Sequence, residues 1–310
     1  MNRFSHTDCE TVFRNTLYNI WDPANDGSFS EADCRNIPER ILYQMKTKTL
    51  QWMNTIAYVL LLLTAVIVIP VPTGTDSVTD LSGRLAGIFA PAPYTYLLFP
   101  LLLIFTGLFV LYQWRLFGNV KIADSVRSGF GLWFAFFCLC QAAVLATTRL
   151  ALPFSSLLFQ SALLLSLVIL TRRSTAPGMS PIGLLSTGIC FRLYLGFRFA
   201  MTVIYLAAFF DRQNIPIPAL SDTIQMILLL FVLSLIGIIA STFFSEPLIT
   251  VSILWVTSGI LIRQLFPSGY ASPNVLIVFM TVISISVLIL SLLLTLVSTD
   301  IPPKTTAHLT

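Results

Sequence analysis

Apolar residues in this chain come in long unbroken runs, without the alternating or three-to-four spacing of elements that face water on one side. A helix crossing the ~30 Å hydrocarbon core of a bilayer needs about 20 such residues, because each residue advances it by only ~1.5 Å. Eight stretches reach that length, over residues 53–71, 96–113, 131–149, 154–171, 187–210, 223–241, 247–265 and 275–298. Pro72 to Asp80, Arg172 to Pro181 and Asp211 to Ser221 are among the polar, turn-forming pieces between them. The pattern predicts an all-α fold, a polytopic membrane helix bundle of about eight transmembrane helices. It divides the chain into an amphipathic N-terminal segment (1–50), an eight-span transmembrane domain (51–298) and a short tail (299–310).

Composition removes the soluble alternative. Of 310 residues, 56% are hydrophobic and 10% charged, with a mean hydropathy of +0.84. A water-facing domain carries about a quarter charged residues. Lipid is therefore the solvent and partner of most of the chain, and the expected location is an integral, multi-pass one, in a plasma or an internal membrane. The net charge of +4 comes from basic residues scattered between apolar runs, which excludes a nucleic-acid surface. With the N-terminus inside, ten basic residues (Arg35, Arg40, Lys46, Lys48, Arg115, Lys121, Arg127, Arg172, Arg173, Lys304) fall on inner segments. Four (Arg84, Arg149, Arg212, Arg263) fall on outer ones. The excess predicts that both termini are cytosolic. The turn near Ser241 to Glu246 carries no basic residue although this scheme puts it inside. No apolar core of a signal peptide follows the N-terminus, so the first span is expected to act as its own membrane signal.

What the runs lack narrows the chemistry. The two histidines, His6 and His308, lie in the tails, so neither a Ser-His protease nor a His-ligated haem or metal fits inside the bundle. Outside the tails the acids are Asp76, Asp80, Asp124, Asp211, Asp222 and Glu246, all in loops or at span ends. Cation-coupled carriers usually keep an acid at depth. No nucleotide or metal fingerprint is present. The reading is a non-enzymatic protein without a cofactor. Of the five cysteines, Cys138, Cys140 and Cys190 lie in or near spans, where packing is the expected role; Cys9 and Cys34 are expected to be reduced thiols.

Arg192 and Arg198 are the charges within the fifth span. Six residues apart, they project ~120° from one another and do not share one ligand group. The simplest expectation is that both snorkel to lipid phosphates. The alternative turns Arg198 into the bundle, toward an anionic or carbonyl group of a ligand.

Three stretches together resemble the extended, eight-span relatives of the tryptophan-rich sensory protein and translocator (TspO/MBR) family. The first is Leu81-Ser-Gly-Arg-Leu-Ala-Gly-Ile-Phe89-Ala-Pro91-Ala-Pro93-Tyr94, running on to Tyr112-Gln113. It is similar to the family's Phe-Thr-Pro-Ala-Gly loop, second span and closing Tyr-Gln. The second is Leu193-Tyr194-Leu195-Gly196-Phe197 with Thr202 beyond it, close to Leu-Tyr-Leu-Gly-Trp. The third is Trp255-Val-Thr-Ser-Gly259-Ile260, near Trp-Ala-Leu-x-Gly-Ile. The likeness runs from about Trp52 to Ser298. It implies a helical bundle that binds amphipathic, often planar molecules such as tetrapyrroles or sterols in an aromatic cavity and senses or moves them. The residues it places near such a cavity are Tyr94, Phe99, Gln141, Tyr194, Phe197, Arg198 and Trp255. Departures are specific: Phe99, Val144, Thr148 and Phe197 stand where the family carries Trp, Gln141 where it carries Asn, and Arg149 where it carries His. Phe keeps the flat apolar face of indole without its N–H donor, and Val and Thr keep neither. A shifted ligand preference, or a lost one, is the implied consequence.

Pro91 and Pro93 suit the approach to the second span, and Pro100 is expected to tilt its opening turn. Gly107, Gly196 and Gly259 read as close helix contacts. In the N-terminal segment, Val12, Phe13, Leu17 and Ile20 and then Ile37, Ile41, Leu42 and Met45 form two apolar stripes. Between them Asp22, Asp26, Ser28 and Asp33 trace a degraded calcium loop. Ala24 removes one oxygen, and Asp33 is a methylene shorter than the usual closing Glu. An Asp-Gly turn joining two amphipathic helices on the membrane surface is the preferred reading of the segment. The functional expectation is binding, sensing or translocation of an amphipathic small molecule. Its rivals are a structural or adaptor protein with a filled core and a facilitator for neutral solutes. The sequence leaves open whether two copies pair as a homodimer.

Overall fold

The computed structural model describes residues 31–68, 90–114, 116, 120–150, 152–174, 183–212, 222–266 and 274–299. Two compact units divide the chain, residues 1–49 and 50–310. The helices are α1 (Glu31–Val68), α2 (Leu98–Gln113), α3 (Val120–Arg149), α4 (Pro153–Arg173), α5 (Cys190–Arg212), α6 (Asp222–Thr242), α7 (Pro247–Leu265) and α8 (Val275–Thr299). A 3-10 turn, Pro93–Leu97, precedes α2, and a π-helical turn, Leu184–Ile189, leads into α5. The candidate calcium loop at Asp22, Asp26 and Ser28 lies outside the described residues, as does the Asp33 side chain.

Among the described residues, eight helices are long and apolar enough to cross a membrane: Lys48–Val68, Pro93–Gln113, Phe130–Arg149, Phe154–Arg173, Leu184–Leu206, Thr223–Thr242, Pro247–Leu265 and Val275–Val297. The protein is an all-α, multi-pass integral membrane bundle. Phe279, Leu290 and Leu294 on α8 are more than half exposed, a surface that water would not tolerate and acyl chains cover. Many hydroxyls within the spans are satisfied locally: Thr106, Thr147, Ser234, Thr257 and Thr281 each donate to the carbonyl four residues back. That is how a polar side chain avoids an unpaired group in hydrocarbon.

Span ends follow from local chemistry. Pro153 and Pro247 open α4 and α7 at positions where the missing N–H costs nothing. Arg172 and Arg173 end α4, where the helix dipole favours cations. Gly131, at φ 48° and ψ −132°, breaks α3 just inside its membrane portion. Between α6 and α7, Ser245 takes φ 52° and the Glu246 N–H donates to Ala240 O at 2.9 Å, closing a short hairpin turn. Ahead of α2, the departure from α geometry is the 3-10 turn that Pro93 opens, upstream of Pro100.

Helices α3 and α5 are the most enclosed spans, 61% and 56% buried, and α8 the least, at 28%. Around α5 pack α4, α7, α6 and α2. Association in lipid depends on close fit because burial from lipid gives little drive. Gly196 supplies that fit: a Cβ there would collide with the Ile249 carbonyl of α7, and Ser252 Oγ donates to Leu193 O at 2.8 Å beside it. Gly259 meets Thr95 in the same way, and Gly107 meets Tyr58.

Candidate functional site

Aromatic residues of α2, α3 and α5 build a ring stack on the side of the bundle where α3 and α5 begin. Phe109, Phe130, Phe134, Phe137 and Phe191 lie with neighbouring centroids 4.5 to 6.4 Å apart. Tyr194 joins them edge-on to Phe137 at 5.1 Å. All six are 0% exposed. Cys138 and Cys190 are buried beside them, in the packing role expected of them.

One helical turn further along, the chemistry changes. Arg198 is 5% exposed, and its guanidinium carbon lies 5.4 Å from the Phe99 ring centroid, 5.6 Å from Tyr194 and 5.8 Å from Phe197. Each such contact is worth ~0.5–2 kcal/mol, the upper end applying when desolvated. Among the described residues no acid pairs with Arg198, and its Nε has no hydrogen-bond acceptor. The Tyr194 hydroxyl stands near the guanidinium without a hydrogen bond of good geometry.

Helix register brings further polar groups to this level. The first span and the third run the same way as the fifth, so from the Phe137–Tyr194 contact four residues on along α3 and α5 lead to Gln141 and Arg198. Seven further residues lead to Thr148 and Tyr205, which stand near one another. Thr148 also meets Ser156 of α4 at 3.3 Å. Gln160, four residues on from Ser156 on the same face, returns toward the Arg198 level. Gln141 and Gln160 are 0% and 1% exposed, and neither amide has a partner for its oxygen or its nitrogen among the described residues. An unmatched buried amide or hydroxyl costs ~1–3 kcal/mol and a charge more. The layer therefore suits a ligand group that can accept several hydrogen bonds and carry negative charge.

Of the seven residues expected from the sequence, Phe99, Tyr194 and Phe197 each face the Arg198 guanidinium, and helix register puts Gln141 at their depth. Tyr94 and Trp255 form a separate pair, edge-on at 5.2 Å. Tyr94 shares a hydrogen bond with Ser258 at 2.9 Å, and Trp255 Nε1 donates to Thr95 O at 3.1 Å. With the Ala92 N–H on Gly259 O at 3.0 Å, these bonds clamp the 3-10 turn to α7. Snorkelling describes neither arginine. Arg198 is enclosed, and Arg192 is ion-paired with Glu246, the residue that caps α7. Sequence reading missed this pair because the two are far apart in the chain and meet only through α5 packing on the start of α7. It also missed Gln160, whose signal is a lone amide within Ser155-Ser-Leu-Leu-Phe-Gln160-Ser-Ala-Leu-Leu-Leu165. Among the described residues no cluster of His, Cys, Asp and Glu forms a metal site.

Comparison with known families gives one finding: a family model described as TSPO-like protein matches residues 51–297. Neither a curated protein nor a solved structure matches the chain.

Proposed function

The chain belongs to the TSPO-like family across its whole helix bundle, and from that premise we propose that it binds an amphipathic, carboxylate-bearing small molecule, tetrapyrrole-like in character, at Arg198. The family is non-enzymatic, which supports binding, sensing or translocation as the activity. The observation that carries the reading is a guanidinium at 5% exposure among three rings with no acid beside it. A carboxylate on the ligand would supply the missing countercharge, and a flat apolar body would lie against Phe99 and Phe197. Gln141 and Gln160 would hydrogen-bond the same polar edge. A sterol, with one hydroxyl, would answer fewer of these groups. Enclosure implies that a ring must turn aside before the ligand enters, so association is expected to be slow, below the usual ~10⁵–10⁷ M⁻¹s⁻¹. The excess of basic residues on one side supports cytosolic termini.

Thermal unfolding of the full-length protein in nanodiscs tests the reading, with protoporphyrin and a cholesterol analogue as probes. Protoporphyrin at a hundred times Kd should add ~2.7 kcal/mol. Arg198→Leu should cut that gain by about half or more without lowering expression. No shift with any probe would favour the adaptor reading, which the filled ring stack also suits, with the N-terminal segment docking a cytosolic partner.

A further inference from the structure

A lateral crevice of about 410 Å³ opens on the flank of the bundle, and its lining includes none of Arg198, Phe99, Phe197, Gln141 and Gln160. Val168 of α4, Leu195 and Phe199 of α5, and Ile236 and Ile239 of α6 line it, with Arg172 and Glu246 among its polar lining residues. The volume is that of an ordinary small-molecule site, ~300–1,000 Å³. Arg172 ends α4 and Glu246 begins α7, so both stand at one end of the bundle, at headgroup level. From the end of α6 at Thr242 to Ile236 is six residues, ~9 Å of helix. The crevice thus runs from the headgroups well into one ~15 Å leaflet. A slot of that direction and greasiness fits an acyl chain lying along the bilayer normal.

Charge at the mouth selects the headgroup. The Glu246 carboxylate is held by Arg192. Arg172 is exposed and has no partner among the described residues. One carboxylate against two guanidinium groups leaves a net positive mouth above an apolar slot. We propose that this crevice is a binding site for an acidic phospholipid, one acyl chain seated between α4 and α6 and the net negative headgroup on Arg172. On the orientation favoured above, the mouth lies in the cytosolic leaflet, where acidic lipids are concentrated. The site is independent of the reading at Arg198.

Native mass spectrometry of the full-length protein in detergent, titrated with phosphatidylserine or phosphatidylcholine, tests it. Phosphatidylserine adducts should persist about fivefold more than phosphatidylcholine adducts, the scale of one basic residue near a lipid surface. Arg172→Gln should erase the difference. Ile239→Trp, which fills the slot, should reduce both adducts. Glu246→Gln should raise phosphatidylserine retention, because it releases Arg192; a simple loss of structure would lower it. Arg198→Leu should leave the lipid signal unchanged, which separates this site from the ligand site. Equal retention of the two lipids by the unaltered protein, or an unchanged preference in Arg172→Gln, would overturn the proposal.

Discussion

Phe137 and Gln141 sit one turn apart on α3, and Tyr194 and Arg198 one turn apart on α5, yet the two levels they define are built on opposite terms. At the first, rings from three helices pack against rings, and nothing there asks for a hydrogen bond except the Tyr194 hydroxyl. At the second, a guanidinium and two amides are enclosed with polar atoms unmatched. In lipid, where close packing supplies the stability of a bundle, the first level is where rigidity comes from. The second breaks the rule that buried polar groups are paired, and such breaks concentrate where a protein has a function beyond folding. The difference teaches that the unmatched layer is tolerated because the ring stack beneath it fixes the helices.

The largest expected effect is on the stack. Phe134→Ala removes a fully enclosed ring that touches Phe109, Phe137 and Phe191, and should cost ~3–5 kcal/mol in reversible unfolding in micelles. A loss under 1 kcal/mol would mean that the stack does not bear the stability assigned to it. In the layer the sign should reverse. Arg198→Leu removes an enclosed charge that has no acid partner, so the ligand-free protein should be at least as stable as the unaltered one, while protoporphyrin affinity falls tenfold or more. Gln160→Leu should follow the same direction with a smaller effect, ~1 kcal/mol of added stability and a few-fold loss of affinity. A marked destabilisation by either would show that the layer is a structural network and would end the comparison.

Much of the bundle was legible because each span is one predominantly apolar run, and lipid imposes the length. The sixth and seventh spans, read as 223–241 and 247–265, stand at Thr223–Thr242 and Pro247–Leu265. The first shifts toward the N-terminus because the helix continues through Lys48 and Gln51, whose polarity reads as boundary; Gln51 Nε2 donates instead to Gln113 O of α2. The π turn at Leu184–Ile189 has no local signature. For the candidate site, the family likeness named residues without saying which would meet. Tyr94 and Trp255 are aromatic and near a motif, as Phe99 and Phe197 are, but they clamp a turn to α7. Gln160 carries the same signal as Gln141, and sequence singles out Gln141 alone because the likeness gives it a counterpart. Which way Arg198 points depends on the rings of α2 and α5 that close over it, and no pattern within its own span encodes that.

The smallest effect is also the sharpest probe, because Tyr194 belongs to both levels. Its ring packs edge-on against Phe137 and lies beneath the Arg198 guanidinium, while its hydroxyl has no partner of good geometry. Tyr194→Phe keeps the ring and both ring contacts and deletes only the hydroxyl. If the residue served the stack alone, stability would rise by ~1 kcal/mol, the low end of what an unmatched buried polar group costs, and ligand affinity would not change. If the hydroxyl serves the layer, the same gain in the ligand-free protein should come with a two- to threefold loss of protoporphyrin affinity, about the worth of one neutral hydrogen bond. Measuring unfolding with and without ligand on the one variant separates the cases. A fall in stability of the ligand-free protein would place the hydroxyl in a hydrogen bond within the bundle and move the boundary between the two levels one turn further along α5.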